Sequence, residues 1–477
     1  MKIRYFLQKL ATFICSLFAL SAYADLPDSV IAALKKEGIP AEAISVYVQP
    51  LADSPNNLAA PLICHQAQKA LNPASTMKLV TSAAALEILG PSYRWKTEVY
   101  YDGSLRNGTL DGNLYLKGYG DPHLMTSDMW RLVTQIKQSG INQIKGDLIL
   151  DDSFFASQST NPSNFDGDGA RAYNAIPSAM MTNLKMVSFR FASDDTQLNI
   201  TPDPDLSEFR IINQLNISKG DCTNWRSRLH YEVNANKTPA EVTFSGVFPA
   251  NCNEKYLELL ALSPADLSFN LFRKLLREQA GNIDGNVKVE NTPAGAIKLL
   301  QFGSETLADL LSEMNKWSNN LMARQLLLTI AAESQGAPAT EEKGVTAIKA
   351  WLARKNLVFA ELVIENGSGL SRTERISAQH MGDLLTSAFY SPVMPEFMAS
   401  LPILAVDGTL QKRMKDSPAQ GRAHLKTGTI EGVFTISGYI LGKNGKRYVM
   451  VFMINHAKAA QTKPAQDALI DWVFQQN

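Results

Sequence analysis

Charge of one sign, cysteine and long apolar runs are all scarce in this 477-residue sequence. The 46 Lys and Arg balance 46 Asp and Glu, and no basic block stands out, which excludes a nucleic-acid binder driven by phosphate neutralisation. Beyond one stretch at the extreme N-terminus there is no long apolar run, so a polytopic membrane protein is excluded as well. No G-x-S-x-G elbow and no H-E-x-x-H pair occurs, and the six histidines fall in no recognisable triad pattern. Internal repeats and low-complexity blocks are missing too. With 45% hydrophobic residues, the composition is that of a globular protein, and the length points to two or three domains.

The one apolar run carries an address. Lys2, Arg4 and Lys9 precede an apolar core from Leu10 to Leu20, and Ala22-Tyr23-Ala24 fits the small-x-small cleavage pattern. The core is shorter than the about 20 residues that a spanning helix needs, so residues 1–24 are expected to be a cleaved signal peptide. The product is then an exported, soluble, periplasmic protein. Its loss leaves 43 Lys and Arg against 46 Asp and Glu, a net charge of −3. Export permits disulfides. Cys15 leaves with the signal, Cys222 and Cys252 are the expected bridge, and Cys64 reads as a buried small hydrophobe.

Local patterning then places the elements. Ile44 to Gln49 reads as a strand, and Leu79 to Leu89 is apolar all round, the mark of a buried central helix. Short strands with turn signals fill 99–206, interrupted by a helix near 127–139. A small β-rich unit spans 207–261, and Leu267 to Glu278 is helical. Helices near Leu307–Trp317 and Asn320–Glu333 lead to a three-strand meander over 424–454 and a final helix near 464–474. Asn164-Phe165-Asp166-Gly167-Asp168-Gly169 begins like a calcium loop, but its twelfth position is Ala175 where a Glu is needed, so a turn-rich loop is expected.

Three short motifs carry chemistry. Ser75 and Lys78 are three apart, hence neighbours on one helical face, and a desolvated amine there can act as base for the hydroxyl. Ser318-Asn319-Asn320 places a hydroxyl and an amide at a junction between helices, where alone they would read as caps. Lys426-Thr427-Gly428 lies inside a strand of the meander, and a strand glycine often marks a close backbone approach. Such a strand could take an extended substrate alongside it.

Each motif alone is weak, but the ordered set resembles the penicillin-recognising serine enzymes, the DD-peptidases and serine β-lactamases. The 243 positions between Ser75 and Ser318 leave room for a large insertion, which is similar to the class C low-molecular-mass (type-4) penicillin-binding proteins. Gly120-Asp121-Pro122, Gly367-Ser368-Gly369-Leu370-Ser371-Arg372 and Asp407-Gly408-Thr409-Leu410 are further similar stretches. One departure is Asn366, where that group usually has Asp.

The resemblance implies an α/β (α+β) multidomain fold. A transpeptidase/β-lactamase-like domain from residues 25–98 and 296–477 would hold an antiparallel sheet flanked by helices. A β-rich insertion over 99–206 and 262–295 would carry the nested 207–261 unit. It also implies roles. Ser75 attacks the D-alanyl carbonyl, Lys78 takes its proton, Ser318 relays the proton to the leaving amine, and Asn320 orients Lys78. Lys426 and Thr427 bind the terminal carboxylate beside Gly428, and Arg372 is a further substrate-binding candidate. The backbone N–H groups of Ser75 and Thr429 form the oxyanion hole. The implied partners are peptidoglycan stem peptides and β-lactams, with weak association to the envelope membrane or cell-wall synthesis proteins. Neither nucleic acid, metal nor cofactor is called for. The class A pattern E-x-x-L-N is absent, which favours a peptidase over a β-lactamase; a non-catalytic peptidoglycan-binding scaffold is the other alternative.

Overall fold

Strand Ile44–Pro50 (β1) has too few polar residues to face water on either side, and six of its seven residues are buried. It finds its partners far along the chain. In the computed structural model, which describes residues 26–57, 59–157, 161–194, 197–206, 209–235, 237 and 239–476, β1 pairs antiparallel with Ile63–His65 (β2) on one side and Arg447–Asn455 on the other. The expected signal peptide lies outside the described residues. Numbering Ala423–Ile430 as β3, Val433–Leu441 as β4 and Arg447–Asn455 as β5, the sheet order is β2-β1-β5-β4-β3, antiparallel throughout.

Alternation divides the side chains of this sheet between two layers. Val46, Val48, Leu425, Ile436 and Phe452 face helices Asp28–Glu37 (α1) and Lys463–Phe474, packing on Val30, Leu34, Leu469 and Ile470. Tyr47 and Tyr439 face the other way. Gly382, on helix Ala378–Phe389, lies so close to Tyr47 that a Cβ there would be 2.4 Å from its ring. The Tyr439 hydroxyl donates to the Leu385 carbonyl of that helix at 2.7 Å. Helix Lys78–Ile88 (α2) belongs to this second layer, with nine of its eleven residues buried.

The chain divides into two compact units, one of residues up to Tyr93 with Thr306–Gly336 and Thr340–Asn477, the other of Arg94–Glu305 with Ala337–Ala339. These seams differ from the expected 98/99 and 295/296. The reason is strand pairing: Arg94–Tyr101 and Ile297–Thr306 are neighbours in a five-stranded sheet of the second unit. That unit's main core sets Leu132, Val133 and Ile136 of helix Thr126–Gln138 against Leu271, Phe272 and Leu275 of helix Pro264–Glu278.

A separate core of Phe189, Phe191, Phe244 and Phe248 lies between two three-stranded sheets. It begins at Val187, earlier than the 207 expected for the nested unit, because Val187–Ser193 pairs with Glu254–Leu259. Cys222 and Cys252 are bridged there, with Cα atoms 5.0 Å apart. Cys64 departs from its expectation. Strand alternation on the edge strand β2 leaves it half-buried between the buried Ile63 and His65.

Candidate active site

The buried helix α2 does not begin at Ser75. A 3₁₀ turn, Ala74–Met77, leads into it, and α2 proper starts at Lys78. A 3₁₀ turn eclipses residues i and i+3, which sets the Lys78 amine against the Ser75 hydroxyl at 3.0 Å. Entry to the turn is strained: Ala74 has φ +45°, a conformation that a residue with a side chain seldom adopts. Asn72 holds it there. Its Oδ1 accepts from the Ala74 N–H (2.8 Å) and its Nδ2 donates to the Ser371 carbonyl (2.8 Å). Ser75 itself is half-buried and open to a ligand, whereas Lys78 is wholly buried.

Three acceptors surround the Lys78 amine: Ser75 Oγ, Asn320 Oδ1 at 2.7 Å and the Ser368 carbonyl at 2.5 Å. The amide and carbonyl oxygens can only accept. A neutral amine therefore spends its two hydrogens on them and turns its lone pair to the Ser75 O–H. Burial, then the nearby Lys426 cation, hold the Lys78 pKa well below its ordinary value, while Glu374 pulls it upward. The geometry and the charge balance both favour a general base.

Helices Leu307–Trp317 (α3) and Asn320–Gln335 (α4) meet at the second motif. Ser318 terminates α3 in the left-handed conformation (φ 61°), and Asn319 caps α4 by accepting from the Met322 N–H at 3.0 Å. The reversal between the helices points Asn320 at Lys78 and Ser318 at Lys426, whose amine donates to Ser318 Oγ at 2.8 Å. Lys426 also donates to the Thr427 carbonyl (2.8 Å) and is fully buried, which brings its pKa down to about 7.

β3 is an edge strand of the sheet, as an added strand of substrate requires. Gly428 shows why its side chain must be absent. A Cβ there would sit 2.8 Å from both the Pro73 carbonyl oxygen and the Ser75 nitrogen, and 2.3 Å from Thr435 Oγ1. The backbone that comes close is the chain's own nucleophile turn. Gly428→Ala should therefore push β3 away from Ser75. Overpacking of this kind costs about 1–3 kcal/mol, and the rate of Ser75 acylation should fall at least tenfold. A folded Gly428→Ala protein that is acylated at the wild-type rate would contradict this.

Thr427 Oγ1 donates to Thr409 Oγ1 at 2.9 Å, which brings the Asp407-Gly408-Thr409 stretch to the same edge. Thr429 is exposed on that strand. Arg372 stands apart from the Ser75–Lys78–Asn320 and Ser318–Lys426 contacts. Exposed, it donates to the Glu431 carbonyl (3.1 Å) and carboxylate (3.2 Å) at the β3–β4 turn. His424 shares the strand but is half-buried against the Met398 carbonyl, with its pKa lowered by burial. Asn72, Thr435 and Glu374 escaped sequence reasoning, and Ser368 was read only as part of a similar stretch, without a role. Of these only Asn72, a short polar side chain just before Pro73, carried a local turn signal.

The D-Ala-D-Ala carboxypeptidase 3 (S13) family matches residues 26–476. The D-alanyl-D-alanine carboxypeptidase of Actinomadura sp. is 32% identical over 416 residues, which cover 84% of this chain and 76% of that protein. The D-alanyl-D-alanine carboxypeptidase DacB of Haemophilus influenzae is 25% identical over 389 residues, 80% of each chain. The solved structure of penicillin binding protein 4 (dacB) from Haemophilus influenzae shares the fold, with a TM-score of 0.75 at 23% identity. The match covers 94% of this chain and 99% of that one.

Proposed function

This chain belongs to the D-Ala-D-Ala carboxypeptidase 3 (S13) family of penicillin-recognising serine peptidases that act on peptidoglycan D-alanyl-D-alanine, and we propose that Ser75 is its nucleophile, with Lys78 as base. The observation that carries this is the placement of Asn320 Oδ1 and the Ser368 carbonyl beside the Lys78 amine: they accept the two hydrogens of its neutral form and so leave the lone pair for Ser75.

Ser75 Oγ bonds to the carbonyl carbon of the penultimate D-Ala as its proton passes to Lys78. The negative oxygen that develops is held by the N–H groups of Ser75 and Thr429. The C–N bond then breaks, and the departing D-Ala amine takes a proton delivered through Ser318 from the Lys78 side. Water, giving a proton to the Lys78 amine, attacks the acyl ester, and Ser75 leaves with a proton returned from Lys78. Lys426 and Thr427 hold the terminal carboxylate on the edge of β3. A cross-link presents the same D-alanyl carbonyl, so endopeptidase and carboxypeptidase cleavage share one chemistry.

Residues 1–24 are proposed to direct export to the periplasm, where the substrate lies, and weak association with the envelope membrane or with cell-wall synthesis proteins belongs to the same reading. Among the described residues no helix is long and apolar enough to cross a membrane.

Benzylpenicillin should form a stable ester on the Ser75 peptide, located by mass spectrometry after digestion. An adduct elsewhere, or none on a folded sample, would overturn the assignment and favour a scaffold. Rapid turnover of the penicillin would favour a β-lactamase. Pentapeptide monomers and cross-linked dimers, digested side by side, report the balance of the two peptidase activities.

A further inference from the structure

Behind the Lys78 amine lies a carboxylate that the mechanism above does not use. Glu374 is completely buried, and its Oε1 gathers three backbone N–H groups, those of Glu365 (3.1 Å), Asn366 (3.2 Å) and Gly367 (3.2 Å). Its Oε2 is buried with no hydrogen-bond partner. A structural carboxylate in such a place would normally have both oxygens satisfied. The loop that it gathers is the one that supplies the Ser368 carbonyl to Lys78.

We propose that Glu374 is a positioning residue for Lys78, holding the 365–368 backbone so that the Ser368 carbonyl takes one hydrogen of the amine and leaves the lone pair for Ser75. The inference deepens the reading of Ser75 and Lys78 given above and rests on it. The loop is tied to α2 at two points only one turn apart: Gly367 accepts from Thr81 Oγ1 (2.7 Å) and Ser368 from Lys78. It also abuts the nucleophile turn so tightly that a Cβ at Gly369 would be 1.9 Å from the Ala74 carbonyl oxygen. Gly367 and Gly369, at φ +72° and +83°, let the loop make that approach.

Asn366 fits the same arrangement. Its Oδ1 accepts from the Ser368 N–H (3.0 Å) and hydroxyl (2.7 Å), and its Nδ2 donates to the Leu370 carbonyl (3.0 Å). An Asp there would lose the donor and set a second carboxylate beside Glu374.

The carboxylate acts electrostatically as well as sterically. The charged groups around it are Lys78 on α2, Glu365 in its own loop, and Arg375, whose guanidinium donates to the Glu374 backbone carbonyl (2.7 Å). Lys426 faces Lys78 from β3. Burial raises the Glu374 carboxyl to about 7, and Glu365 adds to that rise. Among the charges acting on Lys78, the Lys426 cation lowers its pKa and the Glu374 carboxylate raises it. An ionised Glu374 favours the ammonium form of Lys78, so removing it should let the amine lose its proton at lower pH.

The test is the pH dependence of benzylpenicillin acylation, with saturating rate and pre-acylation affinity resolved by stopped flow, for wild type, Glu374→Gln and Glu374→Asp. In Glu374→Gln the rising limb of the saturating rate should move down by about one pH unit. The affinity should stay within about twofold, because Lys426 and Thr427 are untouched. Glu374→Asp keeps the charge but draws it back from the amides. Its rising limb should stay in place while the saturating rate drops about tenfold. A Glu374→Gln protein with a wild-type pH profile would overturn the proposal, even if its melting temperature fell. Should Glu374→Gln fail to fold, an unchanged saturating rate in Glu374→Asp would overturn it. Absence of any Ser75 adduct in the wild type would instead bring down the underlying assignment of the nucleophile.

Discussion

Lys78→Ala is expected to slow acylation of Ser75 by benzylpenicillin by about two to four orders of magnitude, the range of a lost general base, while the protein stays folded. Alanine is the strongest helix former, so α2 keeps its first turn. Removing a wholly buried amine also removes a polar group whose desolvation costs free energy. The melting temperature should consequently be unchanged or higher, even though Asn320 Oδ1 and the Ser368 carbonyl lose a donor. Mass spectrometry over hours would still find a trace of ester on Ser75, since the oxyanion donors remain. Loss of acylation together with loss of folding would not support the assignment, and near-wild-type acylation in a folded sample would refute it.

Lys426→Ala should lower acylation efficiency by roughly ten- to more than a hundred-fold, because a hydrogen bond to a charged group is worth about 1.5–3 kcal/mol. Both binding and chemistry should suffer if the cation on β3 holds the ligand carboxylate as proposed, since it also depresses the Lys78 pKa. The sign of the pH effect follows from burial. With its pKa lowered to about 7, Lys426 carries its charge below that value and loses it above. Acylation efficiency of the wild type should therefore decline as pH rises through about 7. Lys426→Arg should recover part of the activity and abolish that decline, as a guanidinium stays charged throughout. If Lys426 merely solvated the end of a strand, Lys426→Ala would retain penicillin acylation and D-Ala release at near-wild-type rates.

Ser75, Lys78, Ser318, Asn320 and Lys426 were legible in the sequence because each sits at or beside the end of a strongly patterned element, and their order along the chain does not depend on tertiary detail. The meander was legible for the same reason: β3, β4 and β5 are consecutive and joined by glycine turns, so pairing is local. What was hidden is non-local or lies in backbone. The pairing of Ile44 with Ile454 leaves no local trace. The Ser368 carbonyl exists at every residue type, and Glu374 sits in a loop with no periodicity that would mark it as buried. Ser75 was expected to share a helical face with Lys78; the 3₁₀ turn there is held locally by Asn72, which takes the Ala74 N–H, and non-locally by the Asn72 bond to Ser371 and the close approach of β3, which leave no mark in the nearby sequence. Cys64 was misread because a single apolar neighbourhood does not reveal which face of an edge strand a residue takes.

The support of the nucleophile turn by the last strands has a consequence in time. The Pro73 carbonyl accepts from Thr435 Oγ1 (2.8 Å), 362 positions further on, and Lys78 waits for Asn320, 242 positions after it. A ribosome releases the chain from its N-terminus, so the serine and the lysine emerge long before anything that holds them. The whole of Arg94–Glu305 can leave the exit tunnel while the catalytic unit still lacks its sheet. Acylation of Ser75 should therefore require the C-terminal strands, and a chain cut short before Thr435 should form no ester with benzylpenicillin.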